Sequence, residues 1–348
     1  MSGGDLMNRK DDHIQGALTQ SHTTNDFDRV RFVHDALSAV NVQDVDLKSG
    51  MAGKTFPLPF YINAMTGGSD KARELNAKLS KLAAHFDIPM ALGSISAAIR
   101  DKRWEDSFTV VRDHNPKGFV MANLGAEVSP EKAKKAVELI CADALQIHLN
   151  NVQEIVMPEG DRDFSMHESN ISALCRTLDV PIIVKEVGFG LSGETIKKLL
   201  TLGVGVIDVA GRGGTNFSKI ENARRKRRLD YFDDFGLSTV ESLLETSASA
   251  EMEILASGGV RDAMDILKAI RLGASMVGMS GFFLKLVHEH PLETAVERVE
   301  DLIDELKGIM AVLGAKSLAA LKDKPVVLDG RLLDYIEQRS LKHPSGRP

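Results

Sequence analysis

Residues 119–149 read FVMANLGAEVSPEKAKKAVELICADALQIHL, and this stretch sets the architecture. Phe119–Leu124 is a short apolar run, Ser129-Pro130-Glu131 is a cap followed by proline, and Leu145–Leu149 is a second apolar run. A serine oxygen satisfies an open N–H at a helix start, and proline lacks the N–H that a first turn leaves unpaired. The stretch is therefore a strand, a capped helix and a strand. The alternation extends in both directions. Further candidate strands are Phe60–Ala64, Met90–Leu92, Ile182–Lys185, Val206–Val209, Ile254–Ser257 and Met276–Met279. Most are unbroken apolar runs, as strands covered on both faces require. Between them lie helical periods, one with Leu75, Leu79 and Leu82 on a face, another with Ile266, Leu267 and Ile270. Eight strands joined by right-handed crossovers predict an α/β fold, a closed TIM (β/α)8 barrel over residues 60–314. An N-terminal extension, 1–59, precedes it. Leu292–Leu313 is the expected last barrel helix, and a C-terminal extension, 315–348, follows.

Composition narrows the function classes. The 348 residues are 43% hydrophobic and 26% charged, which supports a large core and no disorder. A net charge of -6 argues against nucleic acid and anionic membranes as partners, so any positive charge for a phosphorylated ligand must be local. With 2 cysteines, Cys141 and Cys175, no disulfide framework is expected. No apolar run is long enough for a bilayer, and the polar start Met1–Asp12 lacks a signal-peptide core, so a cytoplasmic protein is expected.

Chemistry in such barrels sits where strands end. The exits read Ala64-Met65-Thr66-Gly67-Gly68, Gly93-Ser94, Asn123-Leu124-Gly125, His148-Leu149-Asn150, Lys185-Glu186, Ala210-Gly211-Arg212-Gly213-Gly214-Thr215, Ser257-Gly258-Gly259 and Ser280-Gly281. Turn glycines alone explain one such rim, but a whole ring of small and polar exits predicts a ligand site. The last two exits fall where barrels commonly bind phosphate. Lys185 ends an apolar run and is expected to be a fixed cation at the ligand site or a member of an ion pair with Glu186, Asp208 or another rim carboxylate. His148, Asn150, Gln153 and Glu154 form a substrate station in which Glu154 is the candidate magnesium ligand. Gln153 does not titrate, so it positions rather than acts as a strong base. Gly188-Phe189-Gly190-Leu191-Ser192-Gly193 matches G-x-G-x-x-G but lies mid-chain, and is expected to be a plain loop and helix start. The basic run Arg224–Arg228 is expected to be an exposed loop or subunit contact rather than a nucleic-acid patch.

These segments, with Arg9-Lys10-x-x-His13, resemble the type 2 isopentenyl diphosphate isomerases from Asn8 to about Lys322. The pair Gln153-Glu154 after His148-x-Asn150, joined to Arg9-Lys10, carries the resemblance most specifically. The resemblance implies a reduced-FMN enzyme of isoprenoid biosynthesis that requires Mg2+, with NADPH or another reductant supplying electrons to the flavin. It implies FMN contacts at Ala64, Met65, Thr66, Ser94, Asn123, Lys185, Thr215, Gly258, Gly259, Ser280 and Gly281. Substrate contacts are implied at Arg9, Lys10, His13, Ser94, His148, Asn150 and Gln153, with Gln153 and Lys185 catalytic and Glu154 on the metal. The N-terminal extension thereby contributes to the substrate site. A homo-oligomer, tetramer or octamer, is also implied. Many relatives carry serine where Ala210 stands and histidine where Phe189 stands, and some carry arginine in place of Ser96.

The reaction so implied shifts a double bond by adding one proton and removing another, with no net redox change. The rival reading is an FMN oxidoreductase of the 2-hydroxy acid oxidase type on the same barrel. Those enzymes resemble this chain at the sixth exit, where they place a base histidine and a carboxylate-binding arginine. Here Arg212 and Thr215 occupy those places, so hydroxy-acid oxidation lacks its proton acceptor.

Overall fold

The computed structural model describes residues 14–16, 18–20, 25–65, 67–246 and 251–344. Its strands are β1 (Val30–Phe32), β2 (Ser49–Met51), β3 (Lys54–Phe56), β4 (Phe60–Ile62), β5 (Met90–Ala91), β6 (Val120–Gly125), β7 (Ala144–His148), β8 (Ile182–Lys185), β9 (Val206–Asp208), β10 (Glu253–Ser257), β11 (Met276–Met279) and β12 (Val326–Leu328). Strands β4 to β11 pair in parallel and in chain order, and β11 closes onto β4. This is the (β/α)8 barrel, and each expected strand lies within two residues of its place.

Helices form where caps and periodicity coincide. Ser69, Ser129 and Asp262 accept backbone N–H bonds at the starts of Asp70–Phe86, Pro130–Leu139 and Ala263–Arg271. Leu75, Leu79, Leu82, Ile266, Leu267 and Ile270 are buried against the sheet, each contributing about 1.5–3 kcal/mol of hydrophobic stabilisation. The last barrel helix spans Leu292–Val312.

Inside the barrel the side chains alternate, and the inward set changes character along the strands. Ala144, Ile183, Val206, Leu255 and Met276 make an apolar lower layer. The hairpin β2–β3 closes that end with Met51 and Phe56, and Ala52 N–H donates to Glu253 at 2.9 Å. One step further up, the inward residues are Gln146, Lys185, Asp208 and Ser257, all buried. Polarity therefore accumulates toward the C-terminal ends of the strands.

The chain after Gly314 folds back onto the barrel. β12 pairs antiparallel with β1, Val30 opposite Leu328. The helix Gly330–Gln338 follows, and Tyr335 Oη and Arg339 Nε donate to the buried Glu245 at 2.6 and 2.7 Å.

Candidate active site

A cavity of about 580 Å³ opens at the C-terminal ends of the barrel strands, a volume suited to a cofactor and a small substrate. Ala64, Met65, Ser94, Asn123, His148, Asn150, Gln153, Glu154, Lys185, Thr215, Gly258, Gly259, Ser280 and Gly281 all line it. The sequence expectation thus falls in one place in space. Arg9, Lys10, His13 and Thr66 lie outside the described residues.

One end is built for an anion. The exits of β9 and β10 press backbone against backbone. A Cβ on Gly258, whose φ is +95°, would sit 2.2 Å from Gly211 O, and one on Gly214 would sit 2.7 Å from Gly259 N. Only glycine permits both the conformation and the approach. Beside them the helix Gly281–Glu289 begins. Ser280 makes no side-chain cap bond, Leu284 N–H is the donor that reaches Ser280 O, and Gly281 has nothing within 4 Å of its Cβ position. The first amides of this helix therefore lack intrahelical acceptors and border the cavity, the arrangement that receives a phosphate.

Lys185 lies deeper. It is 6% exposed, and its Nζ donates to the backbone oxygen of Glu186 at 2.5 Å. No carboxylate lies within ion-pair distance of it among the described residues, so the expected direct pair with Glu186 or Asp208 is not formed. Burial pulls the ammonium below its usual range, while the charges of Asp208 and Glu186 oppose that shift. The Glu186 carboxylate does not face the mouth, as its sequence position suggested. It turns back and accepts from Val187 N at 2.6 Å and Phe189 N at 2.7 Å, which fixes the loop after β8. Burial pushes this carboxyl up to about 7, against those amides and the Lys185 charge.

The opposite wall is the polar station. His148 Nδ1 meets Asn123 Oδ1 at 2.7 Å, Asn150 Nδ2 donates to Glu154 Oε1 at 2.8 Å, and Asp161 N–H donates to Glu154 Oε2 at 2.7 Å. Gln153 is buried, with Nε2 3.3 Å from Oε1 of Glu221. Glu221 is itself fully buried and gripped by Arg224 at 2.6 Å, and Arg224 reaches Glu159 at 2.5 Å. The basic run is thus largely engaged within the chain: Arg225 binds Val156 O, and Arg228 binds Asp230 and Asp233.

Sequence reasoning missed Asn63, Arg100, Glu127, Glu159, Asp161, Arg261 and Lys285, which also line the cavity. Asn63 directly precedes a named exit and was open to detection by that signal. Glu159 and Asp161 follow β7 by a helix and a turn, and nothing local marks them. At the helix that follows the G-x-G-x-x-G loop, Gly193 N–H is occupied by Glu245 at 2.9 Å and Ser192 caps Thr195. At the sixth exit Arg212 is turned toward Glu241, 3.8 Å away, and does not line the cavity.

Among the described residues no group of three or more His, Cys, Asp or Glu forms a ready ligand set for a metal. No described helix is long and apolar enough to cross a membrane.

The chain matches the FMN-dependent dehydrogenase family over residues 10–101 and 98–328. It is 46% identical over 336 residues to isopentenyl-diphosphate delta-isomerase of Staphylococcus haemolyticus, covering 96% of each chain. It is 49% identical over 338 residues to the protein of that name from Latilactobacillus sakei, again covering 96% of each. Among solved structures it resembles a flavocytochrome b2 with sulfite bound, with a TM-score of 0.69, 22% identity and coverage of 91% and 83%. A mandelate oxidase is similar at a TM-score of 0.64, 20% identity and coverage of 91% and 92%. At that identity the two structures bear on the fold alone.

Proposed function

The chain belongs to the FMN-dependent isopentenyl-diphosphate delta-isomerase family, and from that premise we propose how its cavity interconverts isopentenyl and dimethylallyl diphosphate. The observation that carries the proposal is the pairing, in one cavity, of an amide-lined anion end with a buried lysine that has no carboxylate within ion-pair distance among the described residues. A phosphate fits the amides of Gly258, Gly259 and Gly281, and an electron-rich ring fits Lys185. When bound and reduced, FMN supplies the acid–base group for the substrate carbons. The chain's own residues hold and orient. Lys185 offsets negative charge on the reduced ring system, in a site where little water screens it.

The polar station receives the diphosphate. Asn123 Oδ1 fixes a proton on His148 Nδ1, so the imidazolium form adds a second donor at Nε2 for a diphosphate oxygen. Arg100, on the same cavity wall, adds a cation without a carboxylate partner among the described residues. Glu154, held by Asn150 and by Asp161 N–H, presents a carboxylate to Mg2+, which needs one or two protein oxygens when a diphosphate and water supply the rest. Gln153 orients substrate beside the allylic carbons, and Glu221 holds its amide. Arg9, Lys10 and His13 complete the diphosphate site.

NADPH or another reductant supplies the electrons that first reduce the flavin. The free thiols Cys141 and Cys175 support a reducing, cytoplasmic setting. The exposed Tyr231 and Phe235 support burial against another copy in a tetramer or octamer.

The test is anaerobic incubation of purified protein with isopentenyl diphosphate, FMN, Mg2+ and a reductant, with product analysis. Dimethylallyl diphosphate is expected only when flavin is present and reduced. Full activity in flavin-free protein overturns the proposal, and oxidation of a 2-hydroxy acid supports the rival.

A further inference from the structure

Beneath the cavity lies a carboxylate that does not itself line it and is closed to solvent. Asp208 is fully buried at the end of β9, where it stands opposite Lys185 of β8 in the sheet register. Its Oδ2 accepts from Tyr61 Oη and from Asn63 Nδ2, each at 2.8 Å, across the barrel interior. Its Oδ1 accepts from Ser257 Oγ at 2.8 Å and from Ala210 N at 3.1 Å. All four donors are neutral. Such a set stabilises an ionised carboxylate without consuming its charge in an ion pair.

Three of these donors lead directly to cavity loops. Asn63 is also the acceptor for Ala64 N–H at 2.8 Å, so it fixes the exit of β4. Ser257 precedes Gly258-Gly259. Ala210 has φ +35°, a left-handed conformation that costs a non-glycine residue about 1–2 kcal/mol, and the bond to Asp208 helps hold it there.

We infer that Asp208 is a positioning residue: one buried anion ties three cofactor-facing strand exits together and supplies the counter-charge for Lys185. The groups that face Lys185 are Asp208 from β9, Glu186 on its own strand exit and His148, its register partner on β7. Glu186 turns its carboxylate back onto the amides of its own loop, whereas Asp208 stays inside the barrel opposite Lys185.

The inference rests on the FMN reading of the cavity, and its readout is FMN binding rather than turnover. Wild-type protein that binds FMN yet fails to isomerise would count against the proposed function alone. Asp208→Asn keeps the shape, removes the charge and sets an amide N–H2 against the donors Tyr61 and Asn63. Affinity for reduced FMN is measured from pH 6 to 10 in wild type, Asp208→Asn and Tyr61→Phe. With the counter-charge gone, the pH at which reduced-FMN affinity is half lost should fall by about 1 to 2 units, through earlier deprotonation of Lys185. Tyr61→Phe keeps the anion, so affinity should drop severalfold while that midpoint stays in place. An unmoved midpoint in Asp208→Asn, or an equal movement in Tyr61→Phe, overturns the inference. Should Asp208→Asn fail to fold, Lys185→Met decides. An uncompensated Asp208 anion should then make reduced FMN bind at least several-fold more weakly than oxidised FMN, and equal affinities refute it.

Discussion

Glu186 offers the clearest quantitative handle. Its carboxyl is 7% exposed, and burial lifts it from an ordinary 4.5 to about 7. The folded chain therefore keeps this proton where the unfolded chain has lost it. A rise of about 2.5 pH units at about 1.4 kcal/mol each comes to about 3.5 kcal/mol, of which about 3 kcal/mol is lost above pH 4.5. The folded state binds more protons, so the contribution is fully present below about pH 4.5, falls as pH rises and is gone above about 7. Glu186→Gln abolishes the titration. It also weakens the grip on Val187 and Phe189, but that loss is the same at every pH. Urea unfolding of wild type and Glu186→Gln without cofactor, from pH 4.5 to 8.5, isolates the effect. The stability difference, wild type minus variant, should decline by about 3 kcal/mol and level off above pH 7. A difference that stays constant within about 1 kcal/mol, or that grows with pH, refutes the reasoning.

Glu154→Gln keeps size but removes the charge for the metal, so activity should fall at least tenfold and recover in part with excess Mg2+. A metal titration that shows no such recovery removes Glu154 from the metal site. Gln153→Ala should lower kcat with KM changed less than about threefold, the pattern of a contact made in the transition state. If KM rises instead, Gln153 is a ground-state ligand. Gly258→Ala places a methyl on Gly211 O at an unfavourable φ, costing about 2–3 kcal/mol at the anion end, and equilibrium dialysis should show FMN affinity down by tenfold or more. Arg339→Ala leaves the buried Glu245 with Tyr335 Oη and Gly193 N–H as its partners among the described residues. The loss should be about 1–2 kcal/mol in a thermal melt, limited because the guanidinium is 38% exposed.

The eight barrel strands were legible because burial on both faces writes them as apolar runs between capped helices. The hairpin β2–β3 was not. Its turn holds Ala52 and Gly53 at φ 51° and 77°, and alanine in the first of these places hides the usual Asn-Gly signal. β1 and β12 are three residues each and gain meaning only by pairing across nearly the whole chain. The cavity lining was legible at the strand exits, where polar residues interrupt apolar runs. Two things were not. Glu186 reads as a mouth charge, yet its side chain reverses onto loop amides. Asp208 reads as a simple partner of Lys185, because its donors Tyr61, Asn63 and Ser257 come from other strands that only closure of the barrel brings together.

The pairing of β1 with β12 also orders events in time. Asp329 N–H donates to Arg29 O at 3.0 Å, Lys268 Nζ to Phe27 O at 2.8 Å, and Asn25 Nδ2 to Gly259 O at 2.7 Å. The segment that braces Gly259 is therefore anchored in part by β12, which the ribosome makes after all eight barrel strands. During synthesis all eight barrel strands emerge before β12, so the barrel is able to close while β1 still lacks its partner strand. The brace on Gly259 from the β1 end is therefore completed only once β12 has been made.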